Sequence, residues 1–282
     1  MVNNDDQYLW QSGKEESFPK INIVQLLLGV TKFLFFLNFT LFFIPIFLIS
    51  KFFYKYTGVK SPMLIVRKFW SLVSLRICGL RLRLKGQLST QANILVSNHV
   101  SWIDILVIQS VTDVIFIAKH EVIKWPGLGF LARLADTLFV ERNPHKIVKY
   151  SHEIRKIMSK GYVVCFFPEG TSSDGLRVLK FRSSFFQLAY SNESVDSNSS
   201  IHIQPLSLFY SPKDANENID FYGWWGSMSL FSHIVKVLCL SSGSVTLKFH
   251  HLLSSKDYQN RKDFANDAKR IIEYEIVDNL SN

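Results

Sequence analysis

The eighteen residues from Phe33 to Ser50 carry no charged group and seven phenylalanines. As a helix this run would be about 27 Å long, close to the roughly 30 Å hydrocarbon thickness of a bilayer. A second uncharged stretch, Ile21 to Thr31, precedes it, with only Lys32 between them, and a lysine at such a place snorkels to the interface. Pro45 is expected to kink the run or split it into two shorter helices. A cleaved signal peptide is the competing reading. Asp5, Asp6, Glu15 and Glu16 lie upstream and no small-residue cleavage site follows, so a retained membrane segment is expected. Whether it spans the bilayer or dips into one leaflet is left open by the sequence.

The charge is distributed to match. The chain of 282 residues has a formal net charge of +9, but there is no Asp or Glu between Ser17 and Ile103, where eleven Lys and Arg fall. The rest carries 21 basic and 23 acidic residues and is nearly neutral. Nine of the eleven lie between Lys51 and Lys85, interleaved with apolar residues. Such a segment reads as interfacial and cytoplasmic, drawn to anionic headgroups, with a solvated helix face as the plainer alternative. No nucleic-acid-binding motif accompanies the charge. Hydrophobic residues make up 48% of the chain, which excludes disorder. Cys78, Cys165 and Cys239 are widely spaced and odd in number, so neither a disulfide scaffold nor a cysteine zinc site fits.

From Leu82 onward, short apolar runs alternate with amphipathic stretches. Strands are expected at Ile94 to Ser97, Val114 to Ala118, Leu138 to Val140, Tyr162 to Phe167, Ile203 to Tyr210 and Val245 to Phe249. Helices are expected at Ser101 to Gln109, Lys146 to Ser159, Phe181 to Tyr190 and Asp263 to Leu280, with a polar loop at 192–200. This alternation predicts an α/β fold, a central mixed sheet flanked by helices. The chain divides into a polar tail (1–20), a membrane-anchoring and basic interfacial helical segment (21–85) and a catalytic domain (86–282).

Two constellations carry chemistry. Asn98-His99-Val100-Ser101-Trp102-Ile103-Asp104 follows the first of these strands. Five positions on one helix place side chains about 140° apart, so His99 and Asp104 meet only if His99 lies in the strand-to-helix turn. The carboxylate then fixes one imidazole nitrogen and leaves the other as a general base. A lone histidine satisfied locally is the plainer reading. Phe167-Pro168-Glu169-Gly170-Thr171-Ser172-Ser173-Asp174-Gly175 follows the most apolar strand, at the strand end where open α/β sheets bind ligands. Glycine there permits close backbone approach, and Glu169 could orient a substrate hydroxyl or amide; a polar turn is the alternative.

With its N-H-x4-D motif at Asn98 to Asp104 and F-P-E-G-T at Phe167 to Thr171, the sequence resembles the glycerophospholipid acyltransferases of the lysophosphatidate acyltransferase type. Two further marks agree, Phe139-Val140-Glu141-Arg142 and Ile203-Gln204-Pro205-Leu206. The resemblance covers roughly Lys85 to Leu253. It implies a glycerol-3-phosphate acyltransferase-like fold with His99 as general base and Asp104 orienting it. Acyl transfer would run directly from an acyl-ACP or acyl-CoA thioester to the free hydroxyl of lysophosphatidate, giving phosphatidate in phospholipid biosynthesis. Arg142 would bind the acceptor phosphate. Asn98, Phe139, Pro168, Glu169, Gly170, Thr171 and Pro205 would build the acceptor site. No metal and no bound cofactor are implied. The partners would be an anionic bilayer surface, the lysolipid and the carrier protein or coenzyme A thioester, on the cytoplasmic face of the inner membrane.

A lyso-ornithine lipid or other lysolipid acceptor is the alternative, since Ser172 to Gly175 and Trp125-Pro126 resemble that branch equally. An inactive lipid-binding protein is a third reading, which the intact His99 and Asp104 oppose. Two departures from the family pattern stand out. Relatives commonly have Gly where this chain has Asp136, and many have Pro where Lys180 precedes Phe181. Lys180, Arg177 and Arg182 either add positive charge beside the acceptor site or form a solvated face.

Overall fold

The computed structural model describes residues 10–12, 19–125, 127–141, 147–190, 200–213, 218–240 and 242–281, with backbone alone at 147–149. The polar loop expected at 192–200 lies, Ser200 excepted, outside the described residues.

Helix α1, Ile23–Thr57, opens on a reciprocal cap in which the Asn22 side chain accepts from the Gln25 amide while the Gln25 side chain accepts from that of Asn22, both at 2.9 Å. It is one helix of 35 residues with Pro45 inside it, so the expected split does not occur. Proline removes a single main-chain donor, and the strongly apolar turns on both sides carry the helix through. Its length of about 52 Å exceeds the hydrocarbon thickness, and residues such as Leu27, Phe35, Phe42 and Ile49 point outward. Such a face belongs in lipid.

Helix α2, Ser61–Ile77, starts with Pro62 in its first turn and packs between α1 and α3, Ile103–Val111. It turns Ile65, Phe69 and Leu72 outward. Arg67, expected among the interfacial cations, is instead buried and paired with Asp113, and Lys68 donates to the Val111 carbonyl at 3.1 Å. Part of the basic belt therefore serves helix packing. The end of α1 is braced on the body behind it. Lys51 pairs with Asp136 at 2.6 Å, the Tyr54 and Tyr162 hydroxyls meet at 2.9 Å, and the Lys60 ammonium lies 3.6 Å from the Tyr162 ring centroid.

The sheet begins earlier than the sequence suggests. Leu80–Lys85, assigned above to the helical anchoring segment, is strand β1. It is followed by β2 Ile94–Ser97, β3 Val114–Lys119, β4 Leu138–Val140, β5 Val163–Phe166, β6 His202–Pro212, β7 Gly243–Phe249 and β8 Leu253–Ser254. Among the described residues these form one mixed sheet in the order β1-β7-β6-β2-β5-β3-β4, with β8 on β6. Strands β2 to β5 are parallel, β2 also runs parallel to β6 and β1 to β7, and β6 meets β7 and β8 antiparallel.

Alternation along the strands feeds two cores. Leu95, Leu206 and Leu208 point to one layer, where α2, α3 and α6 (Leu230–Leu240) pack. Ile94, Val96, Val164 and Phe166 point to the other, closed by α5 (Ile147–Ser159), α7 (Arg261–Ser281) and the 3-10 segment Ser183–Ala189. Where α1 crosses α6, Gly29 lies on Cys239 so closely that a Cβ there would sit 2.2 Å from the sulfur. Helix α4, Leu128–Leu134, leads into β4 through Asp136, whose φ of 60° is left-handed. That conformation favours glycine, so the aspartate departs from what the backbone here prefers. All three cysteines are buried thiols, none in a disulfide.

Candidate active site

Strand β2 ends at Ser97, and the chain turns before α3, so His99 stands in the turn and Asp104 in the first turn of the helix. The Asn98 side chain fixes that turn to β6. It donates to the Leu208 carbonyl at 2.9 Å and accepts from the Leu208 amide at 2.8 Å. Asp104, fully buried, holds His99 Nδ1 at 2.7 Å through Oδ2. The same oxygen accepts from the amides of Val100 and Ser101 at 2.7 and 3.0 Å. Its Oδ1 accepts from the Tyr210 hydroxyl at 2.6 Å. With a carboxylate on Nδ1 the imidazole carries its proton there, which leaves Nε2 an acceptor able to take a proton. The ring stacks on Phe167 with centroids 4.1 Å apart, and its side chain is 20% exposed.

Tyr210 was not foreseen. It lies inside β6 with no motif around it, and only strand pairing reveals that it reaches Asp104. Burial, then the charge of Asp104, pushes its hydroxyl well above the ordinary tyrosine value, so it remains a donor.

The loop after β5 packs under this pair. Glu169 is buried and turned inward: Oε1 accepts from the His99 amide at 2.9 Å and Oε2 from the Leu179 amide at 3.1 Å. Burial pushes its carboxyl well above the usual carboxylate range, and these two amides pull it back. Glu169 thus holds the His99 main chain rather than facing the cavity. Pro168 is buried too, its carbonyl accepting from the Arg182 amide at 2.9 Å. Gly170, at φ 74°, lies against the Arg182 guanidinium, where a Cβ would come within 2.9 Å of Nε. Ser173 donates its amide to the His99 carbonyl at 2.9 Å, and the Ser172 hydroxyl donates to the Trp224 carbonyl.

His99 opens onto a cavity of about 1320 Å³. Trp102, the N-cap of α3, lines it with Ile105, Leu106 and Gln109 of that helix, a one-sided stripe at helical spacing, and Phe33, Phe36, Leu37 and Leu41 face it from α1. The anchor helix is therefore a wall of the site. Gly170, Thr171, Ser172 and Arg182 line the same space, as do Lys119, Glu121 and Glu141 at the ends of β3 and β4. The structure thus brings His99, Asp104, Glu169, Gly170 and Thr171 together. Phe139 lies partly buried in β4 and Pro205 is buried in β6 beside Val96; neither lines the cavity. Arg142 and Pro126 lie outside the described residues. Lys180 is exposed off the cavity, and Arg177 pairs with Asp174 at 3.1 Å, so of the three cations only Arg182 reaches the site. Among the described residues no group of three or more His, Cys, Asp or Glu is placed to hold a metal ion.

A family model described as Acyltransferase matches residues 81–208. The chain is 34% identical over 194 residues to the lyso-ornithine lipid O-acyltransferase of Rhodobacter capsulatus, covering 68% of this chain and 69% of that one. It is 37% identical to the 1-acyl-sn-glycerol-3-phosphate acyltransferase of Neisseria gonorrhoeae over 97 residues, 34% of this chain and 38% of that one. The crystal structure of the 1-acyl-sn-glycerophosphate acyltransferase of Thermotoga maritima superposes with a TM-score of 0.67 at 18% identity, covering 92% of this chain and 98% of that one. The expected architecture, a mixed sheet flanked by helices behind a long apolar N-terminal helix, is that fold.

Proposed function

The chain belongs to the acyltransferase family and is an O-acyltransferase of it, and from that premise we propose that it moves a fatty acyl group from an acyl-ACP or acyl-CoA thioester to the free hydroxyl of a lyso-ornithine lipid. The chemistry rests on one observation, the 2.7 Å contact of His99 Nδ1 with a buried carboxylate that three further donors hold in place. His99 Nε2 takes the acceptor's hydroxyl proton as the oxygen attacks the thioester carbonyl. The carbon–sulfur bond then breaks, and the imidazolium returns the proton to the departing thiolate. Asp104 stabilises the imidazolium and Tyr210 steadies Asp104. Glu169 sets the His99 main chain.

The order of acceptors reverses relative to the sequence reading, which put lysophosphatidate first. Similarity to the lyso-ornithine enzyme runs through two thirds of the chain, whereas that to the lysophosphatidate enzyme stops at a third. The cavity adds physical support. Ornithine coupled through its α-amine keeps a carboxylate and an ammonium, and the cavity lining carries both signs of charge, Arg182 and Glu121 among them. A phosphate would call for cations alone. Arg142, expected to bind phosphate, belongs to the lysophosphatidate reading. The outward apolar face of α1 supports membrane association, and the exposed cations after it, Lys55 and Arg76 among them, are the reason to place the catalytic body at the cytoplasmic surface.

An acceptor panel tests this. Purified protein in lipid nanodiscs is given one labelled acyl thioester and, separately, lyso-ornithine lipid, lysophosphatidate and other lysophospholipids. The expected result is a kcat/KM at least about tenfold higher for lyso-ornithine lipid. A preference for lysophosphatidate would overturn the acceptor, and no turnover with any lysolipid would overturn the reaction.

A further inference from the structure

The segment 224–228 belongs to no helix or strand, yet it forms part of the cavity wall through Trp224, Trp225, Gly226, Ser227 and Met228. It is tied inward to the catalytic turn. The Trp224 amide donates to the Val100 carbonyl at 2.9 Å, next to His99, and the Trp224 carbonyl accepts from the Ser172 hydroxyl. From outside it is held by the far end of the chain. The Trp10 carbonyl accepts from the Gly226 amide at 3.0 Å, and its indole meets Trp225 edge-on with centroids 6.1 Å apart at 71°. The Arg177 guanidinium lies 5.3 Å from the Trp10 ring centroid, while Asp174, buried in the loop after β5, holds Arg177 at 3.1 Å.

Trp10 thus touches both loops that frame the site, from a position that precedes the membrane helix in sequence. We infer that Trp10 is a positioning residue of the transferase site, clamping segment 224–228 against the loop after β5 and so fixing the cavity wall on which the lysolipid acceptor is seated. The inference rests on the acyl-transfer reading above but not on which lysolipid is accepted. The wall determines how the acceptor fits, and the proton transfer at His99, held by Asp104, does not involve Trp10. Loss of the ring should therefore act on acceptor binding and leave the chemical step nearly intact.

The test uses the full chain in nanodiscs and the best acceptor of the panel. Trp10→Ala should raise the acceptor KM about fivefold with kcat within about twofold, and Trp10→Phe, which keeps an aromatic edge for Trp225, should recover most of the loss. Gln11→Ala, an exposed neighbour, is the control. Hydrogen exchange of residues 223–228 should quicken in Trp10→Ala and not in Gln11→Ala. A KM unchanged in Trp10→Ala, or a fall in kcat alone in step with lost folded protein, would overturn the positioning role. Should the unaltered chain turn over no acceptor, the acyl-transfer reading fails; exchange at 223–228 still decides the clamp, and unchanged exchange there refutes it.

Discussion

Tyr210 joins a β-strand to the His99–Asp104 pair, and what it contributes to the proposed chemistry can be isolated. Tyr210→Phe removes one hydrogen bond from a buried carboxylate, an interaction of about 1.5 to 3 kcal/mol when one partner is charged. If Asp104 acts by holding His99 and its imidazolium, kcat should fall about tenfold to a hundredfold with the acceptor KM unchanged. A change confined to KM would place Tyr210 outside the chemistry. His99→Ala should abolish turnover in a folded protein, and substantial residual activity would remove the base assignment. At this scale the sequence was legible where chemistry needs local spacing. His99 and Asp104 are five residues apart and their meeting follows from a strand-to-helix turn. Glu169 was found for its motif, but its inward direction was not readable, because the amides it satisfies belong to residues 70 positions before it and 10 after. Tyr210 was missed for the same reason: 106 residues separate it from Asp104, and nothing near it in sequence marks the contact.

Elements with strong periodicity or uniform apolarity were expected close to where they lie, β2, β3, β4 and α7 among them. Those missed carry mixed signals. Strand β1 alternates leucine with arginine and lysine, a pattern that reads as a basic interfacial segment until β7 pairs with it. Helix α6 is apolar on most sides, and its role emerges only from α1 crossing it. That crossing makes a prediction. Gly29→Ala drives a methyl group into the Cys239 sulfur, and overpacking of this kind costs about 1 to 3 kcal/mol. Its thermal midpoint in detergent should fall, and adding Cys239→Ala should recover much of the loss. Additive losses in the double variant would show that the two residues do not meet. Asp136 illustrates a different limit. The departure from glycine was visible in sequence, but its consequence, a left-handed residue whose carboxylate tethers Lys51 of α1, required both partners in place.

Across the whole molecule, the net charge of +9 located at the N-terminal third proves to have two uses. Arg67 and Lys51 spend their charge on Asp113 and Asp136 within the protein, and Lys85 lies 3.9 Å from Glu275 of α7. Lys55, Arg76, Arg81 and Arg83 of the segment stay exposed, where they can meet an anionic surface. Buried histidines add a pH dependence. Burial, with the nearby Lys236 charge, pushes His233 down to about 3, and burial pushes His250 down to about 4, against an ordinary value near 6.5 in the unfolded chain. The unfolded state then binds protons that the folded state refuses. Stability from these groups is full above about pH 6.5 and is lost as the pH falls toward the folded values. For His233 the loss at pH 5 is about 2 kcal/mol. Denaturation midpoints at pH 7.5 and pH 5 should therefore converge in His233→Gln relative to the unaltered chain. That comparison cancels the opposite trend from Glu169, whose raised value favours the folded state on the acid side. An identical acid loss in both proteins would show His233 to be protonated in the fold.

The three buried thiols make the chain a quiet background for sulfhydryl chemistry. Burial pushes Cys78 up to about 12 and raises Cys165 and Cys239 as well, so at neutral pH none offers a thiolate to an aqueous reagent. A single cysteine placed on the outward face of α1, at Ile49 for instance, which is 70% exposed, would take a spin label or fluorophore alone. Stepped along that face, such a label reports immersion depth turn by turn, and so distinguishes a helix that crosses the bilayer from one that stops within a leaflet.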